Sequence, residues 1–291
     1  MIPAPFEYLA PRSLEEALRL LERHGDEARL LAGGQSLLPL MKLRMAAPRY
    51  LVALGRIKAL RYIRDEGERV AIGALATHTD IETSETLRRR CPLLAETAAE
   101  IGDLQVRNRG TLGGSLAHAD PAADYPAAVL ALDAELVASS SAGTRTIAAG
   151  DFFVDMMTTR LRPGEILTEV RLPVLPRGSG WAYRKLHQPA SGFALVGVAV
   201  RVRLEQGRLA EAAIGVTGLA PRPFRATAAE QVLLGRRPAA KLVAEAAAHV
   251  ADGVEPLADL HASADYRRAA AIAYARQALE AALARAQGRP A

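Results

Sequence analysis

The sequence predicts an α+β protein in two parts. Residues 1–175 form a mixed αβ region, and residues 176–291 form three antiparallel strands followed by helices. Three observations carry this. Short apolar strands alternate with amphipathic helices up to residue 172. Residues 173–180 then hold two prolines and two glycines in eight positions, a linker composition. Beyond them, three antiparallel strands give way to alanine-rich helices.

The elements follow in order. Residues 13–23 read as a helix: Ser13 caps it, Glu16 stands three positions on, and Leu14, Ala17, Leu18 and Leu21 share one face. Residues 28–32 form a short strand running into Gly33-Gly34, and residues 50–54 form another. Residues 61–65 and 69–72 read as a hairpin turned at Glu66-Gly67. Helices are expected over 79–83 and 84–99, with Pro92 starting a new one, and over 124–132. Strands are expected over 134–139, 144–148 and 166–172. In the second part, strands cover 181–186, 194–204 and 208–216, with Gln206-Gly207 as the turn between the last two. Helices cover 226–234, 239–251 and 264–286. In the last of these, Tyr266, Ala270, Ala273, Gln277 and Glu280 are expected to form a small-residue packing stripe.

Composition narrows the function. Net charge is +5, and four of the 37 basic residues are lysines (Lys42, Lys58, Lys185 and Lys241). Charges are interspersed and aromatics make up 4%, so neither a basic stripe nor a base-stacking platform for nucleic acid is expected. The single cysteine, Cys91, excludes an internal disulfide and an iron–sulfur cluster held by this chain alone. The six histidines lack metal-ligand spacing, so no metal site is expected. No signal peptide or membrane span is expected either, which reads as a soluble intracellular protein.

Two glycine-rich segments carry the functional signal. The first is Ala32-Gly33-Gly34-Gln35-Ser36-Leu37-Leu38-Pro39, at the end of a strand. Glycine permits close backbone approach, successive N–H groups make a nest for anionic oxygens, and Ser36 adds a hydroxyl. The second is Arg109-Gly110-Thr111-Leu112-Gly113-Gly114-Ser115. Either alone reads equally as a structural turn; together they suit the two sides of a dinucleotide pyrophosphate. Asp124 reads either as a helix N-cap or as a carboxylate accepting from ribose or adenine groups. His118, beside the second segment, reads as a ligand contact or as a solvated loop histidine. The Rossmann, P-loop, nucleophile-elbow and zincin motifs are absent from the sequence.

The first segment with Lys42-Leu43-Arg44, then Ile72-Gly73-Ala74-Leu75-Ala76-Thr77-His78, resembles the FAD-binding medium subunits of molybdenum hydroxylases. Val106 to Ser115 with Asp120-Pro121-Ala122-Ala123-Asp124 is the most specific match. Tyr183-Arg184-Lys185-Leu186 and Phe193-Ala194-Leu195-Val196-Gly197 resemble later blocks of that family, so the resemblance spans nearly the whole chain. It implies a PCMH-type (vanillyl-alcohol-oxidase-like) FAD domain of two subdomains, then a C-terminal domain of three antiparallel strands and a helical bundle. It also implies FAD held by Ala32, Gly33, Gly34, Gln35, Ser36, Leu37, Thr77, Thr111, Gly113, Gly114 and Ser115; since no histidine or cysteine sits where the loops would place the isoalloxazine, no covalent link is expected. Asp124 is implied at the adenosine end, with Leu161 and Lys185 near the flavin or adenine. Where many relatives carry an aspartate before the Phe/Tyr-Ala pair, this chain has Gly192.

The implied assembly is a dimer of heterotrimers. A large subunit holds the molybdenum cofactor, a small subunit holds two [2Fe–2S] clusters, and the complex is cytoplasmic with peripheral contact to a membrane electron acceptor. No catalytic residue for substrate oxidation is expected on this chain. The rival reading is a self-contained FAD-dependent oxidase with its own substrate site.

Overall fold

The computed structural model describes residues 2–289. Among the described residues, three larger sheets and a two-stranded ribbon, Phe153–Asp155 with Thr158–Thr159, organise the molecule. A small parallel sheet has Tyr50–Ala53 between Glu7–Leu9 and Ala28–Leu31. An antiparallel sheet runs in the order Ile63–Asp65, Arg69–Gly73, Ile166–Pro173, Glu135–Ser140, Gly143–Ala148. The last sheet runs Ser179–His187, Ala194–Glu205, Arg208–Thr217, Phe224–Arg225. The α+β class follows directly from this.

The local signals explain most elements. The first helix spans Leu14–His24, and the Ser13 hydroxyl accepts from the Glu16 N–H. The Glu16 carboxylate reaches the Arg12 N–H, one residue earlier than a standard capping box. At the hairpin turn Gly67 has φ 87°. Gln206 and Gly207 have φ 49° and 74°, the paired left-handed conformations of a tight hairpin turn. Pro92 opens the helix Pro92–Ala99. The linker-like segment is shorter than its composition suggests, because Pro173 still belongs to one strand and Ser179 begins the next.

Helices cover both faces of the last sheet. Residues 194–200 are buried without interruption, the pattern of a strand covered on both sides. On one face lies the helix Tyr125–Ala131, so close that a Cβ on Gly215 would stand 2.0 Å from the Ala127 carbonyl oxygen. On the other lies Ala264–Ala286, where a Cβ on Gly180 would stand 1.9 Å from the Ala282 carbonyl oxygen. Glycine at both positions lets helix backbone rest directly on strand backbone.

The long helix packs on a different stripe from the one expected. Ala273, Gln277 and Glu280 face solvent, whereas Arg267, Ala271, Ala275, Ala278, Leu279 and Ala282 are buried. Alanine on every side leaves no apolar contrast from which to choose a face. Several elements go beyond the sequence reading: the strand Glu7–Leu9, and the short helices Leu37–Lys42, Leu104–Arg107 and Leu112–His118. Among the described residues no helix is long and apolar enough to cross a membrane.

Candidate functional site

A cleft of about 690 Å³ opens between the parallel sheet and the antiparallel sheet. Its volume lies within the roughly 300–1,000 Å³ of small-molecule sites. Its walls include residues 32–37, Gly110, Thr111, residues 113–115, Asp124 and the tip Ser191-Gly192-Phe193. The two glycine segments therefore meet at one site.

They meet by direct contact. A Cβ on Gly33 would stand 2.2 Å from the Arg109 carbonyl oxygen and 2.7 Å from the Gly110 Cα. The first segment leaves the strand Ala28–Leu31 and enters the helix Leu37–Lys42. Among the described residues, the N–H groups of Gly33, Gly34, Gln35, Ser36 and Leu37 have no backbone or side-chain acceptor. The Ser36 hydroxyl makes no cap bond either. Gly34 has φ 77°, a left-handed conformation that glycine adopts without strain. A run of unpaired amides on a cleft wall is an anion cradle.

The second segment is built differently. It is the start of the helix Leu112–His118, with the Thr111 hydroxyl accepting from Gly114 N–H at 3.1 Å. Leu112 N–H donates to the Ala76 carbonyl and Gly113 N–H to the Ala74 carbonyl. A Cβ on Gly113 would stand 2.5 Å from the Ala74 Cβ. These glycines dock the helix onto residues 74–76 and present a bare wall to the cleft, where Gly114 is exposed and Ser115 half-buried.

Asp124 lines the cleft, yet both its oxygens are engaged from behind. Oδ1 accepts from the Tyr183 hydroxyl at 2.5 Å, and Lys185 Nζ lies 2.9 Å from Oδ1 and 3.0 Å from Oδ2. Lys185 Nζ also donates to the Glu100 carbonyl. Asp124 occupies the N-cap position without a side-chain cap bond, so its carboxylate serves this network and not the helix end. Burial pushes its carboxyl above the ordinary carboxylate range, against the pull of Lys185 and Tyr183.

Three of the expected contacts stand off the cleft wall. The Thr77 hydroxyl caps the helix His78–Thr83, reciprocated by Asp80. Leu161 packs against the central core. The Lys185 side chain is fully buried behind Asp124. Ala74, Leu75, His78, Gly110, Ile101 and Leu167 also line the wall without having been named as contacts. Gly110 stood inside the second glycine segment and Ala74, Leu75 and His78 inside a matched block, whereas Ile101 and Leu167 carried no signal.

Residues 4–175 match the family described as the FAD binding domain in molybdopterin dehydrogenase, and residues 181–282 match the CO dehydrogenase flavoprotein C-terminal domain. The chain belongs to this family of FAD-binding medium subunits. It is 43% identical to the carbon monoxide dehydrogenase medium chain of Hydrogenophaga pseudoflava, covering 98% of this chain and 99% of that one. It is 42% identical to the 6-hydroxypseudooxynicotine dehydrogenase complex subunit alpha of Paenarthrobacter nicotinovorans, over 92% and 90% of the two chains. In structure it superposes with a TM-score of 0.96 on a chain of the H. pseudoflava carbon monoxide dehydrogenase lacking the Mo-pyranopterin moiety. That alignment has 45% identity and covers 98% and 99% of the chains. The protein is thus a flavoprotein oxidoreductase subunit with FAD as its cofactor, and the unpaired amides of residues 33–37 fit that cofactor's diphosphate.

Proposed function

We propose that this chain is the electron-transfer flavoprotein of a molybdenum hydroxylase. Substrate is oxidised on a large subunit that holds the molybdenum cofactor. Electrons reach this chain from two [2Fe–2S] clusters of a small subunit and leave to an external acceptor. FAD, when bound, supplies the redox chemistry, and the protein supplies binding, orientation and tuning. The observation that carries the reading is the row of free amides at residues 33–37 on the cleft wall.

In this reading those amides and the Ser36 hydroxyl hold the diphosphate. Thr111, Gly113, Gly114 and Ser115 form the opposite wall, and the Ser115 hydroxyl adds a donor. Asp124 takes the adenosine end, held in place by Lys185. Residues 1–175 form the FAD domain and residues 176–291 the C-terminal domain. The single cysteine, Cys91, is buried and its thiol pKa is pushed up to about 12 by burial, so it is no cluster ligand. In this reading the electron donors are clusters on other chains. The relatives' names, a medium chain and a complex subunit, support an assembly with such partners, here a cytoplasmic dimer of heterotrimers touching the inner face of the membrane.

Anaerobic stopped-flow absorbance tests this. The FAD-loaded chain alone is expected to show no flavin bleaching with carbon monoxide, aldehydes or purines. With the small and large subunits added, the correct substrate bleaches the flavin. Rapid bleaching of the chain alone would establish a self-contained oxidase instead.

A further inference from the structure

We propose that His78 donates a hydrogen bond from Nε2–H directly to an oxygen acceptor of the bound FAD, and that Tyr125 is the positioning residue that fixes this tautomer. The proposal rests on FAD occupying the cleft described above.

His78 opens the helix His78–Thr83 and is 4% exposed, yet it lines the cleft. Its Nδ1 lies 3.2 Å from the Tyr125 hydroxyl, the rings meeting edge to face at 5.2 Å. Tyr125 is fully buried, and among the described residues its hydroxyl has no other partner. Two proton arrangements satisfy this contact. In one, Nδ1–H donates to the Tyr125 oxygen, and the phenol proton is stranded in the core without an acceptor. In the other, the Tyr125 hydroxyl donates to Nδ1, and the imidazole proton sits on Nε2. The first strands the phenol proton in the closed core, whereas the second leaves the unpaired Nε2–H on a residue that lines the cleft, where water or ligand can accept from it, so the second holds. Burial pushes the Tyr125 pKa well up and holds His78 down to about 4, with Arg107 adding to the latter. Both groups are therefore neutral near pH 7.

The Nε2–H has no protein partner among the described residues. It faces Gly110, where a Cβ would stand 2.3 Å from Nε2. Gly110 is also on the cleft wall, and its neighbour Arg109 abuts Gly33. The contacts run from the free amides through Gly33 and Gly110 to the imidazole. A buried, fixed, neutral donor beside the diphosphate cradle is suited to an oxygen of the dinucleotide. His78 N–H is already spent on the Gly110 carbonyl, which locks the ring's backbone to the second glycine segment.

The test is long-range ¹H–¹⁵N correlation of histidine side chains in the full chain, with FAD bound and after its removal. The Nε2–H tautomer is expected in both states, with the His78 Nε2 signal shifting when FAD leaves. Tyr125→Phe should convert His78 to a mixture of tautomers, an effect that lost packing alone does not produce. His78→Phe should weaken FAD binding by about tenfold, the worth of one hydrogen bond, and His78→Gln should recover part of it. FAD that binds while the His78 signal stays unmoved would overturn the proposal, as would wild-type affinity in His78→Phe. If His78→Phe does not fold, the wild-type and Tyr125→Phe spectra still decide. A wild-type chain that shifts no signal of residues 33–37 with FAD would instead refute the site itself.

Discussion

In residues 33–37 no amide has an acceptor among the described residues, whereas at the start of the helix Leu112–His118 each amide has one: Leu112 on Ala76, Gly113 on Ala74 and Gly114 on the Thr111 hydroxyl. Both segments are glycine-rich and both line the same cleft. The difference separates two uses of glycine. In the first, it frees backbone donors for an anion. In the second, it removes side chains so that backbone can dock on backbone, leaving a smooth wall for the ligand. A motif that looks like a pair of equivalent phosphate loops is a cradle and its scaffold.

The most disruptive way to break this pairing is Gly33→Val. The new side chain collides with the Arg109 carbonyl, a backbone atom that cannot swing aside. Overpacking of this kind costs roughly 3 kcal/mol, so FAD affinity should fall by ~100-fold or more. Isothermal titration of FAD into the refolded variant measures it. Near-wild-type affinity would show that the two segments need not touch for the cofactor to bind.

Gly114→Val sharpens the comparison from the other side. Its Cβ would meet the Thr111 hydroxyl at 2.7 Å, a group that can rotate, and it protrudes into the cleft. The lost cap should cost about 1 kcal/mol of stability, read as a lower denaturant midpoint. The blocked wall should weaken FAD by about tenfold while the fold survives. Unchanged flavin content would reduce this segment to a structural turn.

Much of this was legible in the residues. The C-terminal strands stand out because a valine-rich apolar run such as residues 194–200 favours strand over helix, and Gln206-Gly207 names its own turn. The first helix was written in Ser13 and its leucine face. Two kinds of feature were hidden. Leu112–His118 reads as a loop because glycine disfavours helix, and its stability comes from carbonyls of residues 74–76, far away in sequence. Lys185 drew attention as one of few lysines, but its partner, Asp124, lies 61 residues off, and nothing local marks it as buried. Ala74, Leu75 and His78 lay in a matched block, but only tertiary contact shows that they, and not Thr77, line the cleft.

Amide hydrogen exchange, followed residue by residue with FAD bound and after its removal, tests the central claim most directly. Residues 33–37 should exchange rapidly in the FAD-free protein and slow by at least ~tenfold when FAD binds, while Leu112, Gly113 and Gly114 stay protected in both states. Protection appearing at Leu112–Gly114 while residues 33–37 remain unchanged would contradict the assignment of cradle and scaffold.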